Sequence, residues 1–332
     1  MRLRWRTDEV LTRSAPWLAT LPRPAPRTPA LDFDDDELAL IEDERVVEEA
    51  MAVRRAYERA SERYRERLRE IGATVEDLRW ATAVVHSRVF VRSDGGVTRR
   101  LLVPGVDMCN HDAERYNAVV RVVTSPDTCQ GAEATEEIAP PSAERNGSCD
   151  KYFELIVDPD GEGISQGEEI LISYGNFPND VFFMYFGFIP RGPNPNDTVR
   201  LFDADDLVED VVQHCASALG VATSNDQIAA LRAIFALDSR PSIECTLHAV
   251  DARLVEACER VLGVSCADVV ASRAKYLLSG GRFRTKIKDD VALFKSSDVS
   301  QCARLALEFK LRKKEILLAP LGQTLGRYGF DP

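Results

Sequence analysis

An apolar stripe along one helical segment constrains the fold of this chain more than any other sequence feature. Its members recur at spacings of three and four residues, which places them on one face of a helix. They are Val47, Ala50, Val53, Tyr57, Ala60, Tyr64, Leu68 and Ile71. Glutamate and arginine fill the opposite face, so we predict an amphipathic helix that packs on a core and ends at Gly72. A shorter helix is predicted from Val75 to about Val85, with Thr74 as its N-cap.

The pattern changes to short β-like runs after residue 88. These runs are Val89–Val91, Leu101–Val103, Val119–Val123, Phe153–Val157 and Ile170–Ile172. Turn-forming residues separate them, which indicates a small sheet domain. Residues 124–150 are rich in Ser, Thr, Pro, Glu and Gly and show no periodicity, which predicts a mobile surface insertion.

Beyond Pro190 the chain reads as a linker followed by helices. Residues 192–196 are Gly-Pro-Asn-Pro-Asn, a composition typical of a linker. Helices are predicted at about 203–220, 225–237, 248–263, 266–279 and 296–318. In the last of them, Leu305, Phe309 and Ile316 are predicted to share a face. The expected fold class is therefore α+β: helices, a small β-rich core, and an all-α C-terminal domain.

Composition excludes several function classes. The net charge of −12 argues against a general nucleic-acid binder, and no apolar run approaches the roughly 18 residues of a membrane span. None of the eight cysteines forms a C-x-x-C pair, so we expect no metal site. With no secretory signal in view, we expect a soluble intracellular protein and reduced thiols. The sequence does not decide between cytoplasm, nucleus and plastid as the compartment. We expect a monomer.

The first segment that suggests chemistry is Val103–His111. A strand runs into Asp107-Met-Cys-Asn110-His111, whose polar groups would be costly to bury without partners. Taken alone, the Asn-His dipeptide is better explained by a strand end that carries a capping asparagine and a hydrogen-bonded histidine.

The second segment is Gly167–Gly175 with its continuation, Asn179–Phe188. It reads as a turn with two glutamates, a strand, Ser173-Tyr174-Gly175, and then a short aromatic helix. Taken alone, the aromatic part is better explained by a core cluster.

Together the two segments resemble the SET domain. An Asn-His after a strand, a Gly-Glu-Glu strand that ends in Ser-Tyr-Gly, and an aromatic Gly-Phe occur in the order of that family. The chain most resembles the Rubisco large-subunit methyltransferase class, whose SET domain carries a helical insertion and is followed by a helical substrate-binding domain. Two further segments support this: His86–Phe90, similar to the Ser-Arg-x-Phe of the class, and Phe283–Asp290, similar to its aromatic-x-Thr-x-Ile-x-x-Asp.

The resemblance implies a fold and a domain layout. The fold would be a β-clip SET core with a helical insertion. Residues 1–75 would form the insertion, 76–192 the C-terminal part of the core with the mobile segment 124–150, and 196–332 the all-α domain. SET domains begin with a lobe that carries a Gly-x-Gly strand. Because the first glycine of this chain is Gly72, the resemblance implies that this lobe is missing.

The resemblance also implies an activity and a set of site residues. SET enzymes transfer a methyl group from S-adenosyl-L-methionine to a protein lysine, so the implied cofactor is S-adenosylmethionine and the implied partner is a protein. Tyr174 would be the catalytic tyrosine and would also contact the cofactor. The other cofactor contacts would be Arg88, Asn110 and His111. The substrate contacts would be Ser87, Arg88, Arg92, Asp107, Phe186 and Phe188.

One departure from the class affects the expected product. Phe186-Gly187-Phe188 stands where the class often has Tyr-Gly-Phe, and Tyr185 comes one place early. In SET enzymes phenylalanine at such a position favours higher methylation states, so di- or trimethylation is expected. One histidine-methylating branch of the class also lacks this tyrosine, so a histidine acceptor stays open.

A second class of function also stays open. A chain without the N-terminal lobe would be a catalytically incomplete relative, in which the C-terminal helices bind a protein partner. Two other features are weaker signals. Gly161-Glu162-Gly163 lies in a turn and is a poor nucleotide loop, and the basic run from Arg282 to Lys288 reads as a solvated or protein-facing surface.

Overall fold

The computed structural model describes residues 15–94, 96–124, 151–238 and 240–330 and shows a mixed α+β fold. The chain divides into two compact units. The first consists of the residues up to Pro26 together with Trp80–Asn176, and the second of Arg27–Arg79 together with the residues from Phe177 onward. The domain boundaries implied by the resemblance stay predictions. The insertion expected at 124–150 lies outside the described residues from position 125.

The helices fall into an N-terminal and a C-terminal group. The N-terminal group is α1 Pro29–Asp32, α2 Asp35–Ala39, α3 Glu44–Arg63, α4 Arg65–Glu70 and α5 Val75–Arg88. The C-terminal group is α6 Asn179–Val181, α7 Leu207–Leu219, α8 Asn225–Phe235, α9 Ala252–Glu256, α10 Cys266–Tyr276, α11 Ile287–Lys295 and α12 Gln301–Leu318. Helices α6, α9 and α10 each continue into a π-helical turn. No helix in the described ranges is long and apolar enough to span a bilayer.

The strands pair two by two. They are β1 Phe90–Asp94, β2 Val97–Leu101, β3 Asn110–His111, β4 Ala118–Thr124, β5 Lys151–Val157, β6 Leu171–Ile172, β7 Val199–Phe202 and β8 Ile243–Cys245. The pairs β1–β2, β4–β5 and β7–β8 are antiparallel, whereas β3 and β6 run parallel. A parallel pair needs a crossover, and here it joins segments about 60 residues apart in sequence.

The predicted 47–71 helix is two helices. At Tyr64 the backbone leaves helical geometry (φ −102°, ψ 7°), and α3 ends there. Val46 and Ala50 are the residues of α3 that are buried, while Tyr64 and Ile71 are 48% and 64% exposed. The other members of the stripe are buried or half-buried. The prediction of an amphipathic face is therefore confirmed up to Ala60, but the prediction of one continuous helix was wrong. The expected end at Gly72 is confirmed by its left-handed φ of +70°.

The expectation of an all-α C-terminal region was also wrong. Strands β7 and β8 form an antiparallel pair inside it. Val199, Leu201 and Phe202 are buried in the main hydrophobic cluster of the second unit, which explains why this segment is extended directly after the linker. The short helix α11 was missed as well.

Helix α12 is buried on almost all sides. Leu305 and Phe309 pack with Phe183, whereas Ile316 lies two turns further along the helix and packs in a different cluster. At about 3.6 residues per turn of this continuous helix the three residues lie on one face, as predicted. The buried residues of this helix include four cations, Lys310, Arg312, Lys313 and Lys314.

Acidic side chains, of which Asp197 and Asp290 are buried, neutralise much of this charge. Asp290 lies 2.7 Å from the Nζ of Lys310 and 2.6 Å from that of Lys314, and Lys313 lies 2.5 Å from Asp197 and 2.6 Å from Asp180. Burial of an unpaired charge would be strongly unfavourable, so these ion pairs are what allow α12 to occupy the interior.

Candidate functional site

The two segments singled out by sequence meet in the first unit. Parallel pairing of β3 with β6 places Asn110 opposite Leu171 and His111 opposite Ile172. Just beyond β6, the backbone N–H of Tyr174 donates to Nδ1 of His111 at 3.1 Å, and the Tyr174 hydroxyl donates to the carbonyl oxygen of Cys109 at 2.8 Å. Tyr174 is thus fixed at both its backbone and its hydroxyl.

Asn117 fixes the turn that precedes β6. Its Oδ1 accepts from the N–H of Leu171 at 2.9 Å, and its Nδ2 donates to the carbonyl of Glu169 at 2.9 Å. Sequence reasoning did not select Asn117. The signal that could have found it is a lone amide at the start of an apolar strand, since a half-buried amide there requires backbone partners.

Asn110 contacts an acid from the same turn. Its Nδ2 donates to Oε1 of Glu169 at 2.6 Å, and both side chains are at the surface. An amide held by a carboxylate presents its carbonyl oxygen outward, where it can accept a hydrogen bond.

Arg88, the last residue of α5, reaches the 3₁₀ turn Val106–Met108. Its Nη1 donates to the backbone carbonyl of Asp107 and lies 3.7 Å from the sulfur of Met108. Its Nε is buried and has no hydrogen-bond partner among the described residues. A buried donor without an acceptor is costly, so a polar ligand atom at this position would be favourable.

Asp107 is 4% exposed, and its carboxylate faces Trp17. The indole Nε1 donates to both carboxylate oxygens, at 3.1 and 3.0 Å. Trp17 is a second residue of the site that sequence reasoning missed, because nothing in its local pattern points to a partner 90 positions away.

Burial controls the protonation of the site. Burial raises the pKa of Tyr174 to about 12, although the positive charge of Arg88 acts in the opposite direction. Burial also lowers the pKa of His111, although a hydrogen bond to the backbone of Ile172 acts in the opposite direction. At neutral pH the tyrosine therefore keeps its proton and the imidazole is neutral.

Two of the predicted substrate residues make their described contacts elsewhere, and not with Tyr174, His111 or Asp107. The Ser87 hydroxyl donates to the carbonyl of Val84 in its own helix at 3.3 Å, and Arg92 stands opposite Arg99 in the β1–β2 pair. In the described part of the chain neither makes a hydrogen bond to Tyr174, His111 or Asp107.

Phe186 and Phe188 belong to the second unit and flank Gly187. The glycine adopts a left-handed φ of +75°, which ends the π-helical turn and turns the chain back. Both phenylalanine rings pack on Phe182, at centroid distances of 5.6 and 5.4 Å, and both are only half-buried. Tyr185 does not replace the missing hydroxyl at 186, because its own hydroxyl donates to Glu49 at 2.6 Å.

Comparison with known proteins gives only distant similarity. No family model matches the chain, and the search of curated proteins gives no match. Among solved structures the chain is similar to the SET domain of LSMT bound to lysine and AdoHcy, with a TM-score of 0.48 and 16% identity over 98% of this chain and 72% of that one. It is also similar to Rubisco LSMT bound to sinefungin and monomethyllysine, with a TM-score of 0.44 and the same identity and coverage. Similarity at this level assigns neither a family nor an activity to the chain.

Proposed function

We propose that this protein is an S-adenosylmethionine-dependent methyltransferase that acts on a lysine of another protein. The observation that carries the proposal is the convergence of His111 and Tyr174, which lie in two separate sequence motifs that resemble the SET family. They are joined by the β3–β6 pairing and by the hydrogen bond from the backbone of Tyr174 to Nδ1 of His111.

The residues present fit the proposed cofactor. S-adenosylmethionine offers a carboxylate, an ammonium, a sulfonium and an adenine, so its site must contain donors, acceptors and a compensating anion. We assign the unpartnered Nε of Arg88 as a donor to the cofactor. Asn110, held by Glu169, supplies an acceptor oxygen. Asp107, which the resemblance places among the substrate contacts, supplies the buried carboxylate that we assign as the compensating anion.

Bound S-adenosylmethionine supplies an activated methyl group for in-line attack by an amine. The lysine must be neutral to attack, and with a pKa of about 10.4 its deprotonation near pH 7.4 costs about 4 kcal/mol without help. A water-poor site next to a cation reduces that cost, and alignment of the reactants supplies much of the remaining rate enhancement.

Tyr174 orients the reactants rather than acting as a base. A phenol with a pKa of about 12 stays protonated at neutral pH, so its hydroxyl remains a fixed dipole. His111, neutral and bonded to the Tyr174 backbone, holds that tyrosine in place. The resemblance to the SET family assigns Phe186 and Phe188 to contact the aliphatic part of the lysine, and this assignment stays a prediction.

A methyl-transfer assay tests the proposal. Purified chain is incubated with S-adenosylmethionine and a mixed pool of lysine peptides, and methylated lysine is counted by mass spectrometry. Tyr174→Phe is expected to lower the rate about 100-fold, as loss of an oriented polar group does. Tyr328→Phe, which removes a hydroxyl bonded to Gln323 in the second unit, serves as the control and should leave the rate unchanged. Equal rates for wild type and Tyr174→Phe would contradict the assignment.

A further inference from the structure

The Trp17–Asp107 hydrogen bond joins a buried anion to a neutral donor. Asp107 is 4% exposed, and the indole N–H lies within 3.1 Å of both its carboxylate oxygens. A hydrogen bond to a charged acceptor is stronger than one between neutral groups, and it favours the ionised form of that acceptor.

Several charged and titratable groups lie near Asp107, but the side-chain hydrogen bond to its carboxylate comes from Trp17. Arg88 lies close enough for its charge to act on the carboxylate, but its Nη1 is bonded to the backbone carbonyl of Asp107. Cys109 and Tyr174 are the neighbouring titratable groups, and the negative charge of Asp107 helps to raise the pKa of each. In the described part of the chain, Trp17 is the side chain that donates a hydrogen bond to the carboxylate.

Burial and hydrogen bonding act on Asp107 in opposite directions. Burial raises its pKa above the usual value, whereas the Trp17 hydrogen bond, the charge of Arg88 and the N–H groups of Gly105 and Asp107 lower it. Because the raising effect wins overall, removal of the indole donor would raise the pKa of Asp107 further and bring its protonation closer to neutral pH.

We propose that Trp17 is a positioning residue that keeps the Asp107 carboxylate ionised and oriented, and that this anion makes the site prefer S-adenosylmethionine over S-adenosylhomocysteine. The inference rests on the proposed function. The two ligands differ by one methyl group and by one charge, since the sulfonium is cationic and the thioether is neutral. A nearby buried anion therefore selects between them by charge.

The test is the ratio of the two dissociation constants, measured by calorimetry at pH 7.5. Wild type is compared with Trp17→Phe, which keeps an aromatic ring, and Asp107→Asn, which keeps the shape and a hydrogen-bond acceptor. Both variants are expected to reduce the preference for S-adenosylmethionine, on the order of tenfold for Asp107→Asn. Trp80→Phe is the matched control, because the indole of Trp80 donates to a neutral carbonyl, that of Pro22, at 2.9 Å. Its ratio should equal that of wild type.

A pH series separates positioning from packing. In wild type the preference should fall as the pH drops through the pKa of Asp107, and in Trp17→Phe this fall should occur at higher pH. If both ligands weaken equally in Trp17→Phe and Asp107→Asn, with no change in their ratio, Trp17 only packs and the inference is wrong. A wild-type chain that binds neither ligand would overturn the proposed function and this inference together.

Discussion

At the scale of single residues, Tyr174 is held at its backbone, at its hydroxyl and at its ring. Its backbone is bonded to His111, its hydroxyl to Cys109, and its ring lies 5.1 Å from the imidazole. An oriented hydroxyl of this kind acts through its position, and its high pKa keeps it from acting as a base at neutral pH.

The ionisation of Tyr174 is directly measurable. We expect the ultraviolet difference between wild type and Tyr174→Phe to report a phenol that titrates near pH 12 rather than near 10, because burial disfavours the phenolate. A folded protein in which this phenol ionises near pH 10 would show that the site is open to water.

Phe186 sets the expected product. Phe186→Tyr adds a hydroxyl that can hold the amine or a water, so we expect product at exhaustion to shift from di- and trimethyllysine toward monomethyllysine, measured by mass spectrometry. Tyr185→Phe is the control, because that hydroxyl is engaged by Glu49. Only monomethyl product from wild type would contradict the prediction.

At the scale of elements, polar side chains fix where helices begin. Asp34 and Glu37 form a reciprocal capping box at the start of α2, and Asp43 accepts from the N–H of Val46 at the start of α3. Asp43 also accepts from Arg200 on β7, so one carboxylate both caps a helix and ties it to a strand.

Asp43→Asn is expected to lower the free energy of unfolding by about 3 kcal/mol at pH 7, because the largely buried Arg200 then keeps, among the described residues, only its longer contact, 3.4 Å, with Asp203. Burial alone would raise the pKa of Asp43, but the charges of Arg200 and Arg282 and the bond from Val46 outweigh it, and the pKa lies below 3.8. The stabilisation is thus present above pH 3.8 and is lost as the pH falls through the folded-state pKa.

Urea unfolding of wild type and Asp43→Asn across pH 3–8 checks this. Asp35→Asn, at an exposed position of α2, is the control and should change stability by less than about 0.5 kcal/mol. A difference between wild type and Asp43→Asn that stays constant down to pH 3 would show that the ion pair contributes nothing.

Local sequence signals predicted the elements whose ends are marked by local chemistry. Gly72 and Thr74 mark helix ends through a left-handed backbone and a side-chain cap, and both were found. The break at Tyr64 carries no glycine or proline and was missed. Strand β7 follows a linker and is extended because tertiary burial requires it, which a local pattern does not reveal.

At the scale of the whole molecule, a run of charged residues does not always indicate a solvent-exposed face, because charged side chains can be buried as ion pairs. A run such as Lys310-Leu-Arg-Lys-Lys314 reads as a solvated face, yet it lies in the interior because Asp197 and Asp290, distant in sequence, supply the anions. The candidate site likewise contains contacts that local sequence patterns do not reveal. The motifs singled out Asn110, His111 and Tyr174 as candidates, whereas the contacts of Trp17 and Asn117 exist only in the folded chain.

The central claim, that the cluster around His111 and Tyr174 binds S-adenosylmethionine, is tested most directly by calorimetric titration of the chain with that ligand. Wild type is compared with Asn110→Ala, and with Asn225→Ala, an exposed asparagine of α8, as the matched control. We expect one-to-one binding by wild type and Asn225→Ala and its loss in Asn110→Ala. A folded wild-type chain that gives no binding heat at any temperature tried, or equal binding by Asn110→Ala, would contradict the claim.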